Sequence, residues 1–367
     1  MLAKRAPNGS GRRVSNFPLS YKLSWLPRLL KPSLAGDDGT FGPMAGRWRE
    51  PERAVRLVFL GDISAVANRE PPEIDPALRE IVAGADLVVA NCESPVVERP
   101  VFPVATRLGT RHAMTPAFLD RILDVAGIEP AKLVVSFANN HALDQGASGF
   151  EETLSALKAR GIVAIGAMAD GLVPQVEAGS LTIGLLAFTQ WRNTGYKDFA
   201  GRVTMLEDIA GWRAQAPEVD LLCAVPHWDF EFRHFPQARS RALARKLAEE
   251  GVGLIVGGHA HVVQPVEEIG RALVAYGLGD FLGTALPRQP WPLRIGALLA
   301  VEVSADTDTK GQLVSYRVVP FLREPCGRNE RLLPLEAADG PAGVKARRRV
   351  AAVFGSRSGG QEMGNSL

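Results

Sequence analysis

Five short stretches of this chain end in residues able to hold metal ions, and each of them closes an apolar run. Asp62 follows "LVFLG", Glu93 follows "LVVANC", and Asn140 with His141 follows "VVSFAN". His227 follows "LLCAVP", and His259 with His261 follows "LIVGG". Carboxylate, amide oxygen and imidazole without thiolate make a hard-to-borderline donor set, suited to Mn, Fe or Zn. A carboxylate can bridge two cations and offset their charge. Two such ions about 3.5–4 Å apart clamp an oxyanion and generate hydroxide near neutral pH. A histidine that does not ligate is then needed to protonate the leaving oxygen.

Taken singly, most of these residues have plainer explanations. Asp62 after a glycine suits an Asx-turn, Glu93 suits a loop cap, and His227 beside Trp228 suits a hydrogen-bonded core imidazole. His259-Ala260-His261 is more specific. Two imidazoles at i and i+2, leaving a strand through Gly257-Gly258, can serve two adjacent metals from one loop, and the glycines let the backbone come close. Together the five strand ends carry two carboxylates, an amide and four of the six histidines.

The elements that must position them form an alternation. Apolar runs at 55–62, 86–93, 132–138 and 162–167 predict buried strands. The segments 75–84, 115–127 and 146–161 between them predict helices, with Thr115 as N-cap, Pro116 at the first position and Gly127 as stop. Strands follow at 181–189 and 220–228, a helix at 237–251 and a strand at 253–261. Shorter strands "PVEEIG", "ALVAYG", "IGALLAVEVS" and "GQLVSYRVVPFL" suggest an antiparallel finish. The pattern predicts an α/β domain over 55–323 whose two halves each contribute a sheet. In such sheets ligands bind beyond the carboxyl ends of the strands, where the polar residues fall.

Composition bounds the function classes. The 367 residues are 46% hydrophobic, enough for a sizeable core, and the net charge of +2 gives no electrostatic case for nucleic acid. The charge is uneven, with the first 56 residues strongly basic, so 1–54 is expected to be a basic, largely irregular arm, able to touch an anionic membrane surface peripherally. Residues 324–367, with "KARRR" at 345–349, are expected to be a basic, loosely ordered tail. The longest apolar runs fall far short of the roughly 18 residues a membrane span needs. Arg12-Arg13 echoes a twin-arginine signal, but Lys22, Pro27, Arg28 and Lys31 interrupt the apolar stretch that export requires. Cys92, Cys223 and Cys326 are odd in number and widely spaced, as expected of free thiols in a reducing, cytoplasmic setting.

The stretches "LGDISA", "ANCESPV", "SFANNHALDQG", "VPHWDFEF", "GGHAHVVQPVE" and "AYGLGDF" resemble, in order and spacing, the bacterial capsule-synthesis CapA family of poly-γ-glutamate biosynthesis proteins. That family resembles the calcineurin-like metallophosphoesterases. The resemblance covers about 55–285 and implies a four-layer α/β/β/α sandwich with two divalent metal ions. It implies that Asp62 and His261 hold one ion, that Glu93 bridges, and that Asn140, His227 and His259 hold the second. His141 would be the general acid, oriented by Asp144. Departures are visible: Gly61-Asp62 stands where calcineurin-like phosphatases open with Asp-x-His, Ala260 replaces a usual proline, and Asp280 a usual asparagine.

The expected function is a dinuclear-metal hydrolase acting on a phosphoester, amide or isopeptide bond of a small molecule or anionic polymer, linked to capsule polymer synthesis. The alternative is a non-catalytic accessory protein that keeps the metal site. Arg107, Arg111 and Arg192 are candidate contacts to carboxylate or phosphate.

Overall fold

The computed structural model describes residues 15–36, 41–66, 68, 70–102, 111–283, 289–327 and 329–355. Strand Ala54–Ile63 pairs in parallel with Leu87–Cys92, which pairs with Leu133–Ser136, which pairs with Val163–Ile165. These are continuous apolar runs because both faces of the sheet are covered. The helices are α1 (Leu19–Leu30), α2 (Pro76–Ala83), α3 (Pro116–Ala126), α4 (Gly146–Lys158), α5 (Tyr196–Phe199), α6 (Ala238–Glu249) and α7 (Gly340–Phe354). The stop signals read from sequence operate: the Thr115 hydroxyl accepts from Phe118 N (3.1 Å), and Gly127 ends α3 at φ 69°.

A second sheet runs in the order Val266–Ile269, Ala272–Ala275, Leu254–Val256, Leu221–His227, Leu181–Thr189, Gln175–Ala178. Its strands alternate between two cores, as a period of two requires. Ile183, Leu185, Cys223, Val225, Leu254 and Val256 share the main core with Leu57 and Val134 of the first sheet. Leu186, Phe188, Leu222, Ala224 and Ile255 turn the other way and meet Ala244 and Leu247 of α6. Leu78 and Val82 of α2, Leu119 and Ile122 of α3, and Phe150 and Leu157 of α4 cover the first sheet. The result is the α/β/β/α sandwich, in which two facing sheets bring their strand ends to one rim.

One expectation needs correction: the halves of the chain do not each keep to one sheet. Asp280–Leu282 and Ile295–Ser304 both return to strand Ala54–Ile63, and Leu313–Cys326 and Asn329–Pro334 extend the sheet beyond them. Leu87–Cys92, Leu133–Ser136 and Val163–Ile165 all add to one edge of Ala54–Ile63. The other edge of this buried strand would hold unpaired N–H and C=O groups, and the returning strands satisfy them.

The chain ends also differ from their expected irregularity. Within the arm, α1 forms and Ala45–Arg47 pairs with the Leu313–Cys326 strand. Within the tail, Asn329–Pro334 is a strand and α7 buries Ala346, Val350 and Val353 while Lys345, Arg347 and Arg348 stay exposed. A sparse 3.6-residue period of small apolar groups is easily masked by a run of arginines. Arg12, Arg13 and "SRSGG" lie outside the described residues. Among those described, no helix is long and apolar enough to cross a membrane, and all three cysteines are free.

Gly61, just before the first candidate ligand, packs directly under another strand. A Cβ there would sit 1.9 Å from Gly279 O, and a backbone atom cannot swing aside. Gly61→Ala is therefore expected to destabilise the protein by about 1–3 kcal/mol, measured as a lower midpoint in urea.

Candidate metal centre

Three of the candidate ligands, Asp62, His259 and His261, reach the rim through local irregularities. The register of Ala54–Ile63 against Leu87–Cys92 shifts between Phe59 and Asp62, which re-aims the Asp62 side chain. After strand Leu254–Val256 the chain passes through Gly258, where a Cβ would lie 2.7 Å from Asp62 Oδ1. His259 and His261 then adopt φ of 83° and 52°, left-handed values that cost non-glycine residues energy and cluster at functional loops. The turn is tied down by His259 N donating to Asp62 Oδ2 at 3.1 Å.

Two sets of donor atoms converge on one carboxylate. In the first, Asn140 Oδ1 lies 2.7 Å and His259 Nδ1 3.1 Å from His227 Nε2, and Glu93 Oε1 lies 3.4 Å from that same nitrogen. In the second, His261 Nε2 lies 3.7 Å from Glu93 Oε1, and His261 Nδ1 lies 3.7 Å from Asp62 Oδ2. Glu93 Oε2 accepts a short hydrogen bond from the Ser64 hydroxyl. Glu93 Oε1, fully buried, has no hydrogen-bond partner among the described residues, and leaving such an atom unpaired is costly. It is the atom shared by the two sets, so the residues fit a carboxylate placed between two cations. Among the described residues, Glu93–His227–His259, Asp62–His261–Asp280 and Glu93–His112–His141 are each spaced to hold a metal ion, with donor atoms within 4.8 Å of one another.

His141 is held differently. Its Nδ1 lies 2.6 Å from Asp144 Oδ2, and the same oxygen accepts from His112 N at 2.8 Å. Arg111 Nη1 stands 3.2 Å from Asp144 Oδ1. Asn193 Nδ2 sits 3.3 Å from His141 Nδ1, and its own Oδ1 accepts from Asn140 Nδ2 at 3.1 Å. The structure thus gathers all eight sequence-predicted residues at one rim.

A family model, Bacterial capsule synthesis protein PGA_cap, matches residues 56–285. The chain belongs to this family. It is 27% identical over 248 residues to the PGA biosynthesis protein CapA of Bacillus subtilis (strain 168), covering 61% of this chain and 62% of that one. It is 29% identical over 163 residues to the capsule biosynthesis protein CapA of Bacillus anthracis, covering 41% and 39% respectively. The chain therefore spans less than two thirds of the length of these relatives. Solved structures with a similar course include the calcineurin-like phosphoesterase YfkN of Bacillus subtilis, with 12% identity, a TM-score of 0.42, and coverage of 81% and 96%. A phosphatase from Mycoplasma pneumoniae has 13% identity, a TM-score of 0.44, and coverage of 80% and 97%.

Several residues of this PGA_cap site have no assignment in the sequence reading. Asn91 donates to Asp62 Oδ1 (2.9 Å) and stands 3.3 Å from His227 Nδ1, bridging the two ligand sets from behind. Asn139 braces Asn91 Oδ1 (3.1 Å) and Cys92 O (2.8 Å), and its own Oδ1 accepts from His141 N. Both lie within quoted motifs, and only their side-chain hydrogen bonds reveal what they do. Asp280 Oδ1 stands 2.6 Å from His261 Nδ1, a carboxylate–histidine pairing of the kind that orients an imidazole and leaves its other nitrogen free to ligate. The His112 ring stacks on His141 at 3.6 Å and 2°. Tyr21 of α1 places its hydroxyl 3.2 Å from His259 Nε2. Nothing in the spacing of His112 or Tyr21 signals their arrival, because loop and arm contacts carry no period.

Burial and mutual charge set the electrostatics of these groups. Burial first, and then Glu93, push Asp62 up to about 8. Burial likewise raises Glu93. Burial opposes protonation of His261, yet Glu93, Asp280 and Asp62 together raise it well above the usual imidazole value. His227 and His259 are lowered by burial and by neighbouring imidazoles. A carboxyl whose folded pKa is raised binds its proton more tightly folded than unfolded, so its contribution to stability is lost as pH rises through the folded value. The lowered histidines act only below the usual imidazole range. Metal-free protein is therefore expected to lose thermal stability from neutrality through pH of about 8, and the metal-loaded protein to lose less. Thermal melts of both forms across that range check this.

Proposed function

We propose that this PGA_cap protein is a hydrolase holding two divalent ions, Mn, Fe or Zn, at the rim of its sandwich. Asp62 and His261 would hold one, Asn140, His227 and His259 would hold the other, and Glu93 would serve both. The observation that carries this is the buried, unpartnered Glu93 Oε1 at the meeting point of both donor sets. When bound, the ions supply Lewis-acid polarisation and a nucleophile at neutral pH. The chain's own part is protonation of the leaving group by His141. Burial opposes a charge on this imidazole, but Asp144, its hydrogen bond, Glu93 and Glu231 together raise its pKa, the direction a proton donor needs.

The bond cleaved is a phosphoester, an amide or an isopeptide, in a small molecule or an anionic polymer. The names of the Bacillus relatives support a place in capsule or poly-γ-glutamate synthesis. A cavity of about 640 Å³ borders Asp144 and is lined in part by Arg111, Thr194, Asp198 and Arg202; its two guanidinium groups, set beside two carboxylates, offer contacts to an anionic chain. Arg192 donates instead to Thr194 O (2.9 Å), and Arg107 lies outside the described residues. The same cavity supports the second reading, an accessory protein that grips an anionic polymer without cleaving it.

Metal analysis after Mn reconstitution tests the centre, with close to two ions per chain expected. Fewer than one ion per chain would remove the basis of the proposal. A panel of phosphomonoesters, phosphodiesters and γ-glutamyl amides on the loaded protein then separates the readings: no turnover with full occupancy, together with polyglutamate binding, favours the accessory role.

A further inference from the structure

Helix α1 has two unlike faces. On the inner face Tyr21 is buried, packs on Phe17 and edge-on against Phe230, and reaches His259. Arg28, also buried, donates to Tyr21 O (3.2 Å) and to Glu231 O, and Trp25 donates to the Glu231 carboxylate. These contacts lock the helix onto the rim that carries the candidate ligands, so its orientation is set by the fold. Its outer face is then left with Leu19, Leu23, Leu26 and Leu30, exposed by 71%, 71%, 55% and 69%. At about 100° per residue these four fall within an arc of about 60°, a continuous apolar stripe that the rest of the described chain does not cover. Single exposed leucines need no explanation, whereas an aligned row on a fixed helix marks an interaction surface.

We infer that this stripe docks the protein on an anionic lipid surface. The charge around it selects that occupant. Residues 15–36 contain no acidic residue, and Lys22 and Lys31, both exposed, flank the leucines. The sequence before them, residues 1–14, adds Lys4, Arg5, Arg12 and Arg13, again without an acid. Aliphatic side chains on one face beside lysines are the pattern of a helix lying in the membrane plane, where apolar burial and attraction to anionic headgroups add. At 12 residues, α1 is too short to span a bilayer, so the docking is peripheral. It places the rim beside the lipid surface, since the same helix carries Tyr21. Nothing in this depends on which metals the rim holds.

Cosedimentation of the full chain with vesicles of phosphatidylcholine alone, or mixed with phosphatidylglycerol, tests it. Binding is expected to the mixed vesicles and to weaken several-fold as salt rises, because the lysine contribution is screened. The combined variant L19Q, L23Q, L26Q and L30Q changes only exposed positions. It is expected to keep the wild-type melting curve while binding falls about tenfold or more. Lys22→Glu with Lys31→Glu is expected to lower binding to phosphatidylglycerol vesicles selectively. No binding by the wild type to phosphatidylglycerol vesicles, or equal binding by the leucine variant, overturns the inference. So does a concentration-dependent dimer in sedimentation that the leucine variant abolishes, since the stripe would then serve a second copy of the chain.

Discussion

His141→Ala is expected to retain the wild-type metal content and to lose turnover by about 10²–10⁴-fold, the range for removing a positioned general acid. Its Nδ1 is committed to Asp144 at 2.6 Å, and Asp144 is itself fixed by Arg111 and by His112 N. The imidazole is thus anchored from behind, and against the effect of burial Asp144 raises its pKa. His259→Ala is the opposite case. Its Nδ1 belongs to the set around His227 and Glu93, so that variant is expected to lose metal first and turnover as a consequence. Metal content and kcat measured on both proteins separate the two roles. If His141→Ala loses metal as fully as His259→Ala, then His141 is a ligand in the Glu93–His112–His141 cluster, and the general acid must be sought elsewhere. Asp144→Asn offers a finer reading. It keeps the shape but removes the charge that raises the His141 pKa, so the pH above which activity falls, as the general acid loses its proton, is expected to move lower.

The ligand-bearing strand ends were legible in the sequence because burial writes them in a simple form. A strand covered on both faces is a mainly apolar run, and the polar residues that close it stand at the rim. That rule places Asp62, Glu93, Asn140, His227 and the His259–His261 pair, and the structure brings them together. What the rule cannot see is pairing between distant segments. The return of Ile295–Ser304 to the first sheet depends on an open edge of Ala54–Ile63, which is a property of the assembled sheet and not of either segment. Asp280 was visible only as a departure from a family motif, yet it stands against His261 Nδ1. Tyr21 and His112 come from segments without period, and their arrival at the rim follows from packing contacts that no local pattern encodes. The basic composition of the arm and tail concealed α1 and α7 for a related reason. In both helices the residues that dominate the composition are the exposed ones.

Arg323→Met is expected to cost about 3–5 kcal/mol of stability, the penalty for removing one partner from a buried charge network. Arg323 is fully buried in strand Leu313–Cys326. Its Nη2 donates to Gln289 Oε1 (3.0 Å) and Leu293 O, and stands 3.5 Å from Asp280 Oδ2, while Nη1 lies 3.7 Å from Glu330 Oε2. Methionine fills much of the volume but takes the guanidinium away from two buried carboxylates, Asp280 and Glu330. Glu330 is already raised by burial, with Arg323 the chief opposing influence; without the guanidinium it rises further. A carboxyl raised in the folded state takes up protons on folding, so the defect of Arg323→Met is expected to shrink as pH falls and to grow as pH rises. The same substitution should reach the metal centre. Asp280 orients His261, and an orienting carboxylate that loses its own support typically lowers metal affinity by about 10–100-fold. Asp280→Asn in the Arg323→Met background removes one of the uncompensated charges, so part of the lost stability is expected to return. A double-mutant cycle by urea unfolding measures that coupling. If the two substitutions instead add without interaction, Arg323 supports only Glu330, and the charge at Asp280 is balanced by His261 alone.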